Sequence, residues 1–322
     1  MNRRQFTLMT GAAAWPSAVR AQSSPRKLRV GGVSGQPRSS ILWTSFVARM
    51  AQLGYREGEN FLFDLVKADS TEDYRQGYKR FAGGAVDIIV APGPEVSLQS
   101  ALAVPGDTPI VMVAIDYDPL ARGYIKSLAR PEGRVTGLMM QQIELAVKRV
   151  QLLKDAFPDL KAITVFWDQI SRDQWAAIQA AAVKIGIGLA GVELSNPPYD
   201  YEKAFASAPA EARGALLPLT SPFIFREAGK IADLALRHRS ILMWSNREMA
   251  DAGGLLTYGT SFPAIFARVA DFVDRIAKGA RPGDLPVEQP TKFELVVNAR
   301  TARAIGVTLP PVLLARADEV ID

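Results

Sequence analysis

Cysteine is absent from the 322-residue chain, and histidine occurs once, as His238. The first absence excludes thiol catalysis, disulfides and cysteine-ligated zinc, and leaves the compartment open. The second excludes a multi-histidine metal site and obliges any histidine triad to use His238. That residue follows a helical pattern and stands between Arg237 and Arg239, the setting of a solvated helix end. Nucleotide and hydrolase signatures are missing as well: no G-x-x-x-x-G-K loop and no G-x-S-x-G elbow occurs. The one G-x-G-x-x-G, "GIGLAG" at 186–191, follows a helical segment and precedes a strand. A dinucleotide site needs the reverse order, and Gly186 reads more simply as the residue that ends a helix. The acidic pair Asp318 and Glu319 has no partner that would make it catalytic. No catalytic residue, cofactor or metal is therefore expected.

A marked excess of one charge is also lacking. Lys+Arg number 38 and Asp+Glu 33, a net +5 that falls to +2 if Arg3, Arg4 and Arg20 are removed by processing. The basic residues are scattered, so no nucleic-acid partner is expected. Long apolar runs are missing. The stretch 7–19 has 13 residues, whereas a bilayer span takes about 20, so the protein is not expected to be integral to a membrane. That stretch follows Arg3-Arg4-Gln5-Phe6 and leads to Val19-Arg20-Ala21 before Gln22, with small residues where a signal cleavage site needs them. Residues 1–21 resemble a twin-arginine export signal, with Asn2 where Ser or Thr is usual, and imply a mature protein in the periplasm.

What is present is a balanced globular composition, 48% apolar and 22% charged, on a chain long enough for two separate cores. Apolar runs of strand length at 27–33, 61–66, 86–91 and 109–115 alternate with helical patterns at 41–53, 71–82 and 94–104. The alternation resumes with strands at 162–167, 189–194, 215–217 and 241–244 and helices at 143–157, 174–185, 201–208 and 223–237. Strict βα alternation predicts a doubly wound parallel α/β sheet, and continuous runs such as "VDIIVA" (86–91) suit strands covered on both faces. About ten strands are too many for one sheet in a chain of this length, which predicts two lobes. The Pro131, Gly133 and Gly137 cluster marks the break. Residues 27–120 with 260–285 form the first lobe, and 138–255 with 291–322 the second. Crossovers are expected near 118–140, 253–262 and 280–293, where Pro282, Pro286 and Pro290 forbid regular structure. After them, 292–297 reads as a buried strand. Asn298 is placed to cap a closing helix over 299–305, and Gly306 to end it.

Three passages carry a resemblance: "DPLARGYIKSLARPEGRVTG" (118–137), "GGLLTYG" (253–259) and the ending "GARPGDLPVEQPTKFELVVN" with "LLARADEVID" (279–298 and 313–322). Together they resemble the substrate-binding proteins of a group of bacterial ABC transporters. Glu132 and Arg134 stand where that family usually has Gly and Asn. The resemblance implies a type 1 periplasmic-binding fold: two doubly wound parallel-sheet lobes joined by three crossover segments. It implies capture of a small solute by hinge closure and delivery to a membrane permease by a monomeric protein. Some relatives are implied to bind aromatic amino acids, which makes an aromatic or other apolar amino acid the leading ligand.

In open α/β sheets ligands bind beyond the carboxyl ends of the strands. Those ends here deliver Ser34 through Ser39 and Ser40, Gly93 and Pro94, Asp116 and Tyr117, Trp167 and Asp168, Thr220 and Ser221, and Ser245 and Asn246. Tyr258 joins them on the way back to the first lobe. Helix starts behind Ser39, Gly93 and Thr220 offer free N–H groups to a carboxylate. The expected arrangement places the ligand carboxylate at Ser39 and Ser40, its ammonium at Asp116, and its apolar part against Trp167, Tyr117 and Tyr258. Asp116 and Asp118 together are open to a second reading as a cation site, although Asp118 is better placed to cap the turn before Pro119. Two other readings of the whole chain stay open: an α/β enzyme of unknown chemistry, and a binding protein that feeds a membrane sensor.

Overall fold

The computed structural model describes residues 26–195 and 197–322; the twin-arginine stretch lies outside them. The first half runs β1 (Leu28–Ser34), α1 (Ile41–Gln52), β2 (Phe61–Lys67), α2 (Thr71–Lys79), β3 (Ile88–Gly93), α3 (Glu95–Leu102), β4 (Ile110–Ala114) and β5 (Val135–Met139). These strands form one sheet in the order β2-β1-β3-β4-β5, parallel throughout. The chain continues through α4 (Gln142–Ala156), β6 (Ala162–Trp167), α5 (Arg172–Ile185), β7 (Gly188–Glu193), α6 (Tyr201–Ser207), β8 (Ala215–Pro218), α7 (Pro222–Arg226), α8 (Ala228–Arg237), β9 (Ile241–Trp244), α9 (Glu248–Asp251) and β10 (Leu256–Gly259). It ends with α10 (Phe262–Ala277), β11 (Glu294–Asn298), α11 (Ala299–Ile305), α12 (Pro311–Arg316) and β12 (Glu319–Ile321). The second sheet has the order β12-β11-β10-β9-β8-β6-β7. The strands read at 86–91 and 162–167 thus belong to different sheets, as two lobes require.

The departures from the sequence reading have physical causes. β5, unmarked in the sequence, is an edge strand of the first sheet. It is short and carries Gly137, whose φ of +134° and contact with Met112 admit no side chain: a β-carbon there would lie 2.0 Å from the Met112 carbonyl oxygen. The first crossing therefore comes after Met139, and 138–139 belong to the first sheet. The second sheet is not wholly parallel. β10 leaves this lobe and β11 returns to it, so the two pair antiparallel. Beyond the closing helix read at 299–305, which is α11, the tail adds α12 and ends in β12, parallel to β11, neither of them marked in the sequence. The helix read at 223–237 is two, broken at Glu227 (φ −98°, ψ 18°). Two local expectations hold: Asn298 caps α11 by accepting from the Thr301 amide, and Gly186 ends α5 in the left-handed conformation at φ +74°.

Each sheet is covered on both faces. In the first lobe α1 and α10 pack on one side, with Trp43, Phe46, Phe61, Phe63 and Phe266 at the centre, and Trp43 meets Phe266 edge-on at 5.0 Å. Tyr74, Tyr78 and Leu98 fill the other side. Burying one such aromatic ring contributes roughly 1.5–3 kcal/mol. α10 supplies the first lobe from late in the chain, so the second crossing (259–262) is covalently tied to that core. In the second lobe one face holds Val150, Leu153, Val165 and Leu217, and the other Phe166, Phe205, Ile231 and Trp244. No helix among the described residues is long and apolar enough to cross a membrane.

Candidate functional site

Strands β1, β3 and β4 of the first lobe and β6, β8 and β9 of the second end toward the same space. Two cavities lie there, side by side. The first is apolar, with walls from Leu42, Tyr74 and Ile115 of the first lobe, Phe225 of the second, and Phe262 and Phe266 at the start of α10. Its polar rim is Ser34, Gln36, Thr220 and Ser221. Its volume is ≈ 30 Å³, room for roughly one or two water molecules. The second cavity, of ≈ 270 Å³, is polar and lies between Asp116, Tyr117, Glu95, Gln99 and Arg122 of the first lobe and Gln169, Arg172 and Asp173 of the second. The starts of three helices border it, at Thr71 of α2, Glu95 and Val96 of α3, and Arg172 and Asp173 of α5. Free N–H groups and the positive dipole ends make such helix starts suited to an anion.

Asp116 bounds the polar cavity and has an unusual state. It is 5% exposed, and its Oδ1 has no hydrogen-bond partner among the described residues. Burial, reinforced by the negative charges of Asp168, Asp173 and Glu95, pushes its carboxyl well above the ordinary carboxylate range. The neighbouring Tyr117 hydroxyl is also buried without a partner, and burial beside Asp116 pushes it up as well. An unmet buried carboxyl costs roughly 1–3 kcal/mol or more, and a cationic group of a ligand would remove that cost. Asp118 does not join it: Oδ1 accepts from the Leu120 and Ala121 amides, the turn cap expected before Pro119. No group of three or more potential ligands able to hold a metal occurs among the described residues.

The second lobe presents a different edge. Asp168 accepts five hydrogen bonds at its carboxylate, from the Ile170 and Ser171 amides, the Ser171 and Ser221 hydroxyls and the Tyr199 hydroxyl. It is thereby committed to holding the β6 and β8 ends together. Ser221 also caps α7. Thr220 is clamped by Gln174, whose amide nitrogen donates to its carbonyl and whose oxygen accepts from its N–H. Ser245 donates to Asn246, and Asn246 to Glu248.

Among the residues read from sequence, Ser34, Gly93, Thr220 and Ser221 border the apolar cavity, and Pro94, Asp116 and Tyr117 the polar one. Ser39 is exposed and Ser40, with its Oγ buried and unpartnered, lines neither; the beginning of that loop faces the cleft, not its end. Trp167 stacks on Trp175 at 5.8 Å and 10° and Tyr258 tilts onto Phe293, and neither ring lines either of these two cavities. Tyr74, Phe225, Phe262 and Phe266 do so instead. Periodicity marks these rings as core residues and cannot show that a core face continues into a cleft.

The lobes touch. The Gln36 amide donates to the Pro222 carbonyl at 2.8 Å, and Arg226 reaches across to Asp69 at 2.5 Å. On the other flank Arg122 pairs with Asp173 at 2.6 Å. Gly35 permits the approach: a β-carbon there would lie 3.0 Å from that of Pro222 and 3.3 Å from the Tyr74 hydroxyl.

The family model described as ABC transporter substrate binding protein matches residues 42–321. A tyrosine-binding protein of Clostridioides difficile (strain R20291) is 23% identical over 265 residues, which is 81% of this chain and 75% of the relative. Among solved structures, a conserved domain protein from Vibrio cholerae superposes with a TM-score of 0.80 at 23% identity, over 92% of this chain and 99% of that one. A Streptococcus pneumonia ABC domain in complex with L-Trp gives 0.78 at 20% identity, over 92% and 100%. The ligand-free, open form of a substrate-binding protein with adhesive properties from Clostridium difficile gives 0.62 at 21% identity, over 92% and 99%.

Proposed function

The chain belongs to the ABC transporter substrate-binding protein family, and from that premise we propose that it captures an aromatic amino acid between its lobes and delivers it to a membrane permease. The observation that carries this reading is the unpartnered, buried Oδ1 of Asp116 on the polar cavity, next in the chain to Ile115 of the apolar one. An amino acid matches all three features. Its ammonium neutralises Asp116 through a charge-assisted bond of roughly 1.5–3 kcal/mol. Its carboxylate turns to the helix starts that border the polar cavity. Its ring enters among Tyr74, Phe225, Phe262 and Phe266, where aromatic pairs add roughly 0.5–1.5 kcal/mol each. The related proteins named for tyrosine and solved with L-Trp support this ligand class.

With the lobes as they stand, a ring cannot pass into ≈ 30 Å³; it enters only if the lobes part and then close over it. The contacts Gln36–Pro222, Arg226–Asp69 and Arg122–Asp173 are the ones such a motion would break. Residues 1–21 support export by the twin-arginine route, and the ligand would then be met outside the cytoplasm.

Calorimetric titration of the processed protein with L-tyrosine, L-tryptophan, L-phenylalanine and their des-amino acids tests the reading. Binding of at least one amino acid, and markedly weaker binding of its des-amino counterpart, is expected. Equal affinity for the two would remove Asp116 from the site. Replacing Arg3 and Arg4 with Lys should leave unprocessed chain in the cytoplasm, and its normal appearance in the periplasm would refute the twin-arginine route.

A further inference from the structure

Arg149 plays no part in the cavities, yet it is 1% exposed in the middle of α4 and forms no ion pair among the described residues. Burial lowers its guanidinium to about 9, so it remains charged at neutral pH. A buried charge without a counter-charge costs several kcal/mol unless its hydrogen bonds are well made. Here they go to three different elements. Nε donates to the Tyr258 carbonyl at 2.8 Å, and Nη2 to Gln142 Oε1 at 2.6 Å and to the Ser245 carbonyl at 3.3 Å.

The places of those acceptors give the arrangement its meaning. Gln142 opens α4, three residues after β5 ends and the chain has crossed from the first lobe. Tyr258 stands at the end of β10, just before the chain crosses back. Its ring rests on Phe293, in the third crossing. Ser245 follows β9, and its carbonyl oxygen lies so near Gly259 that a β-carbon there would come within 1.8 Å. Gln142 Oε1 also accepts from Thr220 Oγ1 at 3.2 Å, and Thr220 borders the apolar cavity. One guanidinium thus ties the second-lobe roots of two crossings together and connects them, through Gln142, to the cleft wall. A planar fork with donors in fixed directions can do this, whereas an ammonium is a single point charge.

We propose that Arg149 is the positioning residue of the hinge: it holds the roots of the crossings at one separation, so that the lobes move about a fixed pivot. The proposal rests on the two-lobed capture reading for its consequence, but its test needs no ligand. Because the chain has no cysteine, Glu59→Cys and Val183→Cys, at exposed positions of the first and second lobes, would carry the only two spin labels in the full processed protein. Pulsed electron paramagnetic resonance then reads the interlobe distance distribution. Arg149→Lys, which keeps the charge and loses the fork, should roughly double its width. Gln142→Glu, which supplies the missing counter-charge, should narrow it. If Arg149→Lys lowers the melting temperature but leaves width and mean distance unchanged, Arg149 is a buried structural residue and the proposal is overturned. Should Arg149→Lys not fold, Gln142→Glu decides alone: narrowing supports the pivot, and an unchanged or wider distribution refutes it. Failure of every amino acid to bind would sink the capture reading without touching this result.

Discussion

The two edges of the cleft are built on opposite plans. On the second lobe the polar groups satisfy one another: Asp168 with Ser171, Tyr199 and Ser221, Gln174 with Thr220, and Ser245 with Asn246. On the first lobe Asp116 Oδ1 and the Tyr117 hydroxyl are buried with no partner. A satisfied network is rigid and costly to disturb, and an unsatisfied buried group stores free energy that a ligand releases. On the proposed reading the second lobe is a preformed wall and the first carries the recognition group. Two further unpartnered atoms, Gln142 Nε2 and Thr260 Oγ1, sit at the crossings, where the lobes change their relation.

The sharpest way to break this contrast is to remove one carboxylate from each edge. Asp168→Ala removes five accepted hydrogen bonds and leaves the Ile170 amide and the Ser221 and Tyr199 hydroxyls without that acceptor, which should lower the unfolding free energy by about 3 kcal/mol, read by urea denaturation. A loss below about 1 kcal/mol would mean that the wall is not held by its network. Asp116→Ala should do the reverse: it should weaken an amino-acid ligand by roughly 30-fold or more and leave the unliganded protein as stable or more so. The pH dependence follows from the sign of the shift. The folded Asp116 carboxyl titrates above its unfolded value, so the stability it contributes is fully present below the ordinary carboxylate range. That stability is lost as pH rises from there through the folded value. Asp116→Asn should abolish this decline. Identical pH profiles for the two proteins would show that the carboxyl is not buried unpaired in solution.

Smaller effects probe the contacts across the cleft. Arg226 is 25% and Asp69 55% exposed at the side chain, and such pairs contribute roughly 0.2–1 kcal/mol. Arg226→Ala should speed ligand release by about two- to fivefold, an effect that fades in salt; a rate unchanged at low salt would remove Arg226 from the closing contacts. The least effect is expected of Trp167→Ala on affinity, within about twofold, because its ring is spent on Trp175. A much larger loss would return it to the site, and Phe225→Ala is the control that should weaken an aromatic ligand far more.

Much of the fold was legible because it is written in short-range signals. Apolar runs between turn residues marked β3, β4, β6 and β9, and Asn298 and Gly186 announced their helix ends by side-chain and backbone chemistry alone. β5 escaped because Thr136 and Gly137 interrupt its apolar run, and β12 because three residues are too few for any period to show. The site was legible in part for the same reason. Asp116 follows a buried strand, and strand ends face the cleft in any two-lobed sheet protein, so its position could be read. That it would be buried without a partner while Asp168 found five donors could not, because beside the local turn donors of Ile170 and Ser171 the set needs Tyr199 and Ser221, which only folding brings there.

Local periodicity and composition thus determined by themselves the alternation of elements and the division into two sheets. Tertiary structure alone decided which rings wall a cavity, which carboxylate stays free, and that Arg149 meets Gln142, Ser245 and Tyr258 beside the crossings. The physical reason is range. Propensities and caps act within a few residues, whereas burial, charge pairing and cavity shape depend on groups far apart in sequence, and no local pattern records them.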